Sequence, residues 1–429
     1  MDAWKKTFAI IWSGQIFSTL SSAVVGYAVI FWLSIKTGSA EVLAFSFIAS
    51  FLPHLLLGPF TGVLIDRWDR KRIMISADLF IAACSAVLAV LFSLGEVRIP
   101  FIYALLALRS VGSSFHVPAM QASVPLLAPA SELMRVAGVN QVIQSTSTIA
   151  GPALAALLIN AFSMTYVLLF DVLGAVLAVA TLIMVHIPNP QKKADAPPPH
   201  VFREMKEGLR EVYSRPGLLW LFVFVIIVTF FIFPLSALFP LMTTKHFAGG
   251  TTQMSIVEIA WGVGMLLGGV VLGVVKRKVN KAVLINLTYL VMGAVFFASG
   301  LLPSTMFPAF IALTLVGGVA GAVYGGAFTV MVQTAVDPAA MGRVFSIFGS
   351  IMLTPAMFGL LQTGFIADRI GILNVFLITG SAMALSGVVS FFVPPIRRVI
   401  RGGDAELRRH WGEVTAPQAS VAPDEAESA

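Results

Sequence analysis

Asp78, Arg109, Asp171 and Glu258 stand inside long apolar runs of this chain, with Asp66 and Arg343 at run ends. A charge in a hydrocarbon layer costs ~2.5–3.5 kcal/mol on insertion scales, so each such group needs a partner or a purpose. A carboxylate in apolar surroundings is a group that can load and release a proton. Glu258, in Ser255-Ile256-Val257-Glu258-Ile259-Ala260-Trp261, has no cation beside it and is the first candidate for proton coupling. Asp171 is a second titratable candidate or a helix-to-helix bond. Asp78 lies near a basic turn and is expected to pair with it. Arg109 sits near mid-run, so a carboxylate or several carbonyls must meet it. His54 and His116, beside Pro53 and Pro118, are read as hydrogen bonding to neighbouring helices.

These groups require elements that cross a membrane. Of 429 residues 58% are hydrophobic and 11% charged, with a mean hydropathy of +0.90, against ~25% charged in soluble domains. Apolar runs cover Phe8–Leu33, Leu43–Ile65, Ile73–Leu94, Ile99–Ala122, Val139–Ala161 and Tyr166–Ile187. They continue at Leu218–Met242, Ser255–Val275, Ala282–Leu302, Phe307–Thr334, Val344–Ile366 and Ile372–Val393. The expectation is an all-α integral membrane protein of about twelve spans, each long enough for a ~30 Å core. Between the second and third runs lies Gly62-Val63-Leu64-Ile65-Asp66-Arg67-Trp68-Asp69-Arg70-Lys71-Arg72, a charged turn too short for a soluble domain.

The net charge of +7 does not indicate nucleic acid, because the cations are spread over short loops. Apart from Lys36, Arg98, Lys245 and Arg369, and Arg109 within a run, the Lys and Arg residues fall on the side of the N-terminus. That bias puts both termini in the cytoplasm. The chain divides into a six-span half at 1–187, a linker at 188–216, a second six-span half at 217–393 and a tail at 394–429, disordered at its end. Within the linker, Val201, Phe202, Met205, Leu209 and Val212 share one face of a lateral helix. The lone Cys84 excludes disulfides and thiol metal sites. The first run follows Met1-Asp2-Ala3-Trp4-Lys5-Lys6 without a cleavage site and reads as a retained helix.

The charged turn resembles the signature loop after the second helix of major facilitator transporters. Further stretches extend the likeness to the macrolide-efflux branch of that superfamily. They include Trp12-Ser13-Gly14-Gln15, Phe51-Leu52-Pro53, Arg109-Ser110-Val111-Gly112, Phe115-His116-Val117-Pro118-Ala119, Phe170-Asp171-Val172, Glu258-Ile259-Ala260, Gly342-Arg343-Val344 and Phe365-Ile366-Ala367-Asp368. Gly151-Pro152-Ala153 resembles a shortened exporter signature. The resemblance implies two pseudo-symmetric halves, the major facilitator fold, in a bacterial plasma membrane, and drug export in exchange for protons. It implies a conformational latch in which Asp66, with Gly62, Arg67 and Arg70, meets the helix that begins near Arg343. Arg109 matches a fourth-helix motif linked to proton transfer through a nearby carboxylate.

Lipophilic substrates need a large apolar cavity with few polar anchors. Phe, with 33 copies, and Met, with 17, are ample for its walls. Gln15, Asn140, Gln141 and Gln144 are the anchors expected near it, Asn140 and Gln144 sharing a face at i, i+4. No Gly-x-x-x-x-Gly-Lys phosphate loop occurs, which excludes ATP hydrolysis by this chain and leaves a separate ATPase partner open. No cofactor, metal cluster or catalytic constellation is expected. The reading is a monomeric secondary transporter rather than an enzyme. Exporters of an endogenous metabolite such as a siderophore, and lipid flippases, share its sequence features.

Overall fold

In a computed structural model of the chain, each apolar run falls on a helix. The structure describes residues 3–129, 132–187, 212–213, 215–274, 280–335 and 341–408. The lateral helix expected near 201–212 lies almost wholly outside these residues, as does the end of the tail. The helices before that connection are α1 (Ala3–Thr37), α2 (Ala40–Arg67), α3 (Arg70–Ser93), α4 (Ile99–Leu127), α5 (Leu133–Ala161) and α6 (Met164–Ile183). After it come α7 (Pro216–Ala237), α8 (Phe239–Lys245), α9 (Thr251–Val274), α10 (Lys281–Leu301) and α11 (Phe307–Ala335). The chain then forms α12 (Met341–Ile370), α13 (Ile372–Phe392) and α14 (Pro394–Arg408). Among the described residues there are no strands. Among the described residues, 10 helices can cross a membrane by length and composition. The bilayer-length α4 falls short of that measure, because Arg109, Ser110, Ser113, Ser114 and His116 dilute its apolar character.

The run Leu218–Met242 is interrupted. α7 ends at Ala237, and Leu238 closes it by donating its N–H to the Pro234 and Leu235 carbonyls. Pro234 and Pro240 both lack an amide donor, so a continuous ladder cannot pass this point.

α2 and α3 are joined by Trp68 and Asp69 alone. The Asp69 side chain accepts from the Arg72 amide at 2.9 Å and caps α3. Cations in the first turn of a helix oppose its dipole. Here they reach the negative ends of other helices instead. Arg70 Nη1 donates to the Ala122 carbonyl at 2.6 Å, near the end of α4. Lys71 Nζ donates to the Ile183 and Val185 carbonyls at 3.2 and 2.7 Å, at the end of α6. Gly62, Asp66, Arg67 and Arg343 lie on α2 and α12, but their side chains fall outside the described set.

In the first group of helices α1 packs on α5 and α6, α2 on α4, and α3 on α4 and α6. In the second group α7 packs on α12 and α13, α9 on α11, and α10 on α11 and α13. The groups meet chiefly where α2 touches α12 and α5 touches α9. One end of the bundle carries the Arg70–Arg72 turn and is called the basic face below. Among the described residues, hydrogen bonds between the groups gather at the far face. Ser34 and Thr244 hydroxyls stand 3.4 Å apart, and the Thr251 hydroxyl donates to Asn160 Oδ1 at 2.6 Å.

The start of the tail adds a helix that the sequence reading did not foresee. Ile396 and Val399 of α14 are buried, and α14 packs on α7 at the basic face. Asn280 holds it there. Its Oδ1 caps α10 by accepting from the Ala282 and Val283 amides at 3.0 and 3.3 Å. Its Nδ2 donates to the Val399 and Ile400 carbonyls at 3.3 and 2.7 Å. Losing a cap costs about 1 kcal/mol and a neutral hydrogen bond about another. Asn280→Ala should therefore lower the melting temperature in detergent and expose Arg397 and Arg401 to trypsin sooner. Asn280→Asp keeps the cap without the donor and should fall between the two.

Candidate functional site

Arg109, on α4, points into the first group of helices and finds Asp171 of α6. The guanidinium donates to Asp171 Oδ2 and to the Ser85 hydroxyl of α3. Ser85 Oγ donates in turn to Asp171 Oδ2 at 2.6 Å. From α1, Ser22 and Ser21 donate to Asp171 Oδ1 at 2.7 and 3.3 Å. The Asp171 side chain is 2% exposed. The required carboxylate is thus supplied from another helix, and the remaining lone pairs are filled by hydroxyls. The cluster ties α1, α3, α4 and α6 together.

Asp78 does not pair with the basic turn. Arg70 and Lys71 are engaged by backbone carbonyls, whereas Asp78 points inward from α3. Ser18 of α1 donates to Asp78 Oδ1 at 3.3 Å. His116 Nε2 of α4 lies 3.4 Å from the same oxygen, at ion-pair distance but outside hydrogen-bond geometry. His54 on α2 meets the Ser114 hydroxyl of α4 at 3.3 Å, the interhelical bond expected of it.

Glu258 differs from both aspartates. It is half-buried on α9 and has no hydrogen bond or ion pair among the described residues. It interacts electrostatically with Tyr27 of α1. One turn on, Gly262 meets α5 so closely that a Cβ would stand 3.0 Å from Ile149 Cγ1. Glu258 therefore lies at the seam between the two groups. Trp261, on another face of α9, packs into the second group against Phe239 and Phe296.

Along this seam the helices part to form a 570 Å³ cavity. Gly138, Gln141, Val142, Ser145, Thr146, Ile149 and Ala150 of α5 line it opposite Leu266 of α9. Its size suits a small lipophilic molecule. A second cavity, of 720 Å³, lies on α3 and α4 beside Trp68, Phe80 and Phe115, away from Glu258.

Of the four polar anchors expected from the sequence, Gln141 lines the seam cavity, whereas Gln15, Asn140 and Gln144 do not. Asn140 accepts from Trp12 Nε1 at 2.6 Å, and Gln144 is exposed outside this lining. Gln15 is 1% exposed, and its amide atoms have no hydrogen bond among the described residues. Helical periodicity assigns a face but not what that face meets. Sequence reading also missed a polar set in the second group, Asn286 and Tyr289 of α10 with Tyr324 of α11. The two rings lie 5.6 Å apart, and neither the Asn286 amide nor the hydroxyls complete a hydrogen bond of good geometry among the described residues. An Asn within an apolar run was the available signal.

Bilayer-length helices in two groups, pinned inside by an ion pair and parted along a seam, define a multi-pass membrane transporter. The family model of the Major Facilitator Superfamily matches residues 11–352. The chain belongs to that superfamily. It is 38% identical over 396 residues to a macrolide efflux protein A of Streptococcus pyogenes, covering 92% of this chain and 98% of the relative. A macrolide efflux protein A of Enterococcus faecalis is 39% identical over 323 residues, 75% of this chain and 100% of the relative. Among solved structures, a bacterial homologue of the human lysosomal transporter Spinster superposes with a TM-score of 0.67 at 12% identity, covering 96% and 99% of the two chains.

Removing one partner of a buried ion pair typically costs 3–5 kcal/mol, because the other charge is stranded. Asp171→Asn and Arg109→Met should each sharply reduce membrane-inserted yield and melting temperature. The double variant should lose less than the sum of the two, a coupling that a double-mutant cycle reads directly.

Proposed function

We propose that this chain exports lipophilic drugs, macrolide antibiotics first among them, by alternating access coupled to proton antiport. The substrate class comes from the macrolide efflux proteins it resembles over most of its length. The observation that carries the coupling is Glu258, an unpartnered carboxylate at the seam. Closing that seam buries the group, which is costly while it is charged and cheap once it holds a proton. Opening the seam to water on the basic face releases the proton and admits drug to the seam cavity. Asp171 and Arg109 neutralise one another and Asp78 is held by Ser18, so these three act as fixed polar supports in this scheme. At the basic face Asp66, with Gly62, Arg67 and Arg70, meets the start of α12 near Arg343 when the opposite face is open.

The basic face is the cytoplasmic one, with both termini there, as its excess of Lys and Arg requires. The transporter acts as a monomer. A reporter fused after Lys36, Arg98 or Lys245 should read outside, and one after Arg401 inside; a reversed result at two sites overturns the orientation.

Glu258→Gln mimics the protonated group permanently. In inverted vesicles it should still bind a radiolabelled macrolide but lose at least tenfold of its pH-driven accumulation. If accumulation persists and collapses with an uncoupler, the proton is carried elsewhere, with Asp78 the next residue to substitute.

A further inference from the structure

At the far face a single carboxylate from the second group of helices fastens onto the first. Asp368, close to the end of α12, meets the first turn of α2. The Ala40 amide donates to its Oδ1 at 3.0 Å and the Glu41 amide to its Oδ2 at 3.3 Å. The Ser39 hydroxyl donates to Oδ2 at 2.7 Å. Lys245, ending α8, brings its Nζ within 3.8 Å of Oδ1. Ser39 is also the N-cap of α2 and accepts from the Val42 amide at 3.3 Å. The free amides of α2 are thus shared between its own cap and a carboxylate from another helix, and that anion sits at the positive end of the α2 dipole. One turn before Asp368, Gly364 lets α12 come this close: a Cβ there would stand 2.7 Å from Ala44 Cβ and 3.2 Å from Glu41 Cα.

We infer that Asp368 is a positioning residue of the transport cycle: its carboxylate ties α12 to the N-terminus of α2, keeps the far face closed, and must let go whenever that face opens. This goes beyond the export reading, because it depends neither on the drug nor on the ion that is exchanged. In the sequence Asp66 has the corresponding position near the end of α2, at the basic face.

Partial burial of Asp368 favours its neutral form, but the Ala40, Ser39 and Glu41 donors and Lys245 outweigh this and hold its carboxyl below the usual range. A carboxylate with a lowered pKa in the fastened state contributes fully above its free value of about 3.9 and is lost as pH falls through the lower, fastened value. At neutral pH the tie is therefore complete, and removing it takes a substitution or the opening motion itself.

The test measures a distance across the far face in the full chain. Nitroxides on Glu96→Cys and Thr305→Cys, in a Cys84→Ser background reconstituted in lipid nanodiscs at pH 7, report the separation of the two groups. The parent should give mainly one short distance. Asp368→Asn should raise the longer-distance fraction at least threefold with little change in melting temperature. Asp368→Glu should restore the parental distribution, and Ser39→Ala should give an intermediate one. Arg369→Gln, adjacent but outside the contact, should match the parent. If Asp368→Asn is poorly folded, Ser39→Ala decides. Parental distributions in both variants, or an equal lengthening in Arg369→Gln, would overturn the assignment.

Discussion

A guanidinium inside a bilayer-length helix needs a carboxylate or several carbonyls to meet it, and Arg109 finds the carboxylate of Asp171. The pair would still be costly if left short of hydrogen bonds, which is why Ser21, Ser22 and Ser85 surround the carboxylate. Because the anion comes from α6 and the hydroxyls from α1 and α3, one electrostatic requirement fixes four helices of the first group. The same arrangement occupies Asp171 fully. Glu258, at the seam, has no hydrogen bond or ion pair among the described residues, which is why the proposed coupling falls on it.

The two groups are held by different forces. In the second, rings make the core: Phe239 lies near Trp261, Phe296, Phe310 and Phe376 at the far end. Dispersion and edge-to-face contacts are short-ranged and close-packed, so this group deforms little once assembled. The first group gains similar coherence from directional polar bonds. Two such bodies joined along α2–α12 and α5–α9 are the arrangement that the proposed alternating access calls for.

Helix ends do much of the joining. Lys71 satisfies orphan carbonyls at the end of α6, Asn280 couples the cap of α10 to α14, and Asp368 takes the free amides of α2. In a bundle with few polar side chains, unpaired backbone groups at helix ends are the main polar surface, and the scarce charged residues are spent there. Contacts of this kind break cleanly when the ends move apart, since water can replace them at the membrane surface.

Composition and run length by themselves determined that the chain crosses a membrane about twelve times, because hydrocarbon demands long apolar helices whatever they pack against. The charged turn and the stretches around Arg109, Glu258 and Gly342 carried the family. That Arg109 needed a carboxylate or several carbonyls was legible as well, since the cost of leaving it alone is local. Which of these it meets, and from where, was not. Asp171 lies 62 residues away on another helix, and only the packing of α3, α4 and α6 brings them together. Asp78 shows the reverse error: sequence proximity put it with the basic turn, while the helix rotation aims it at Ser18 and His116. Asn140 is taken up by Trp12, and Asp368 gains its contacts from a helix more than 300 residues earlier in the chain. A sequence fixes what each side chain must have; which neighbour supplies it depends on helix rotation and crossing, which are decided by the whole bundle at once.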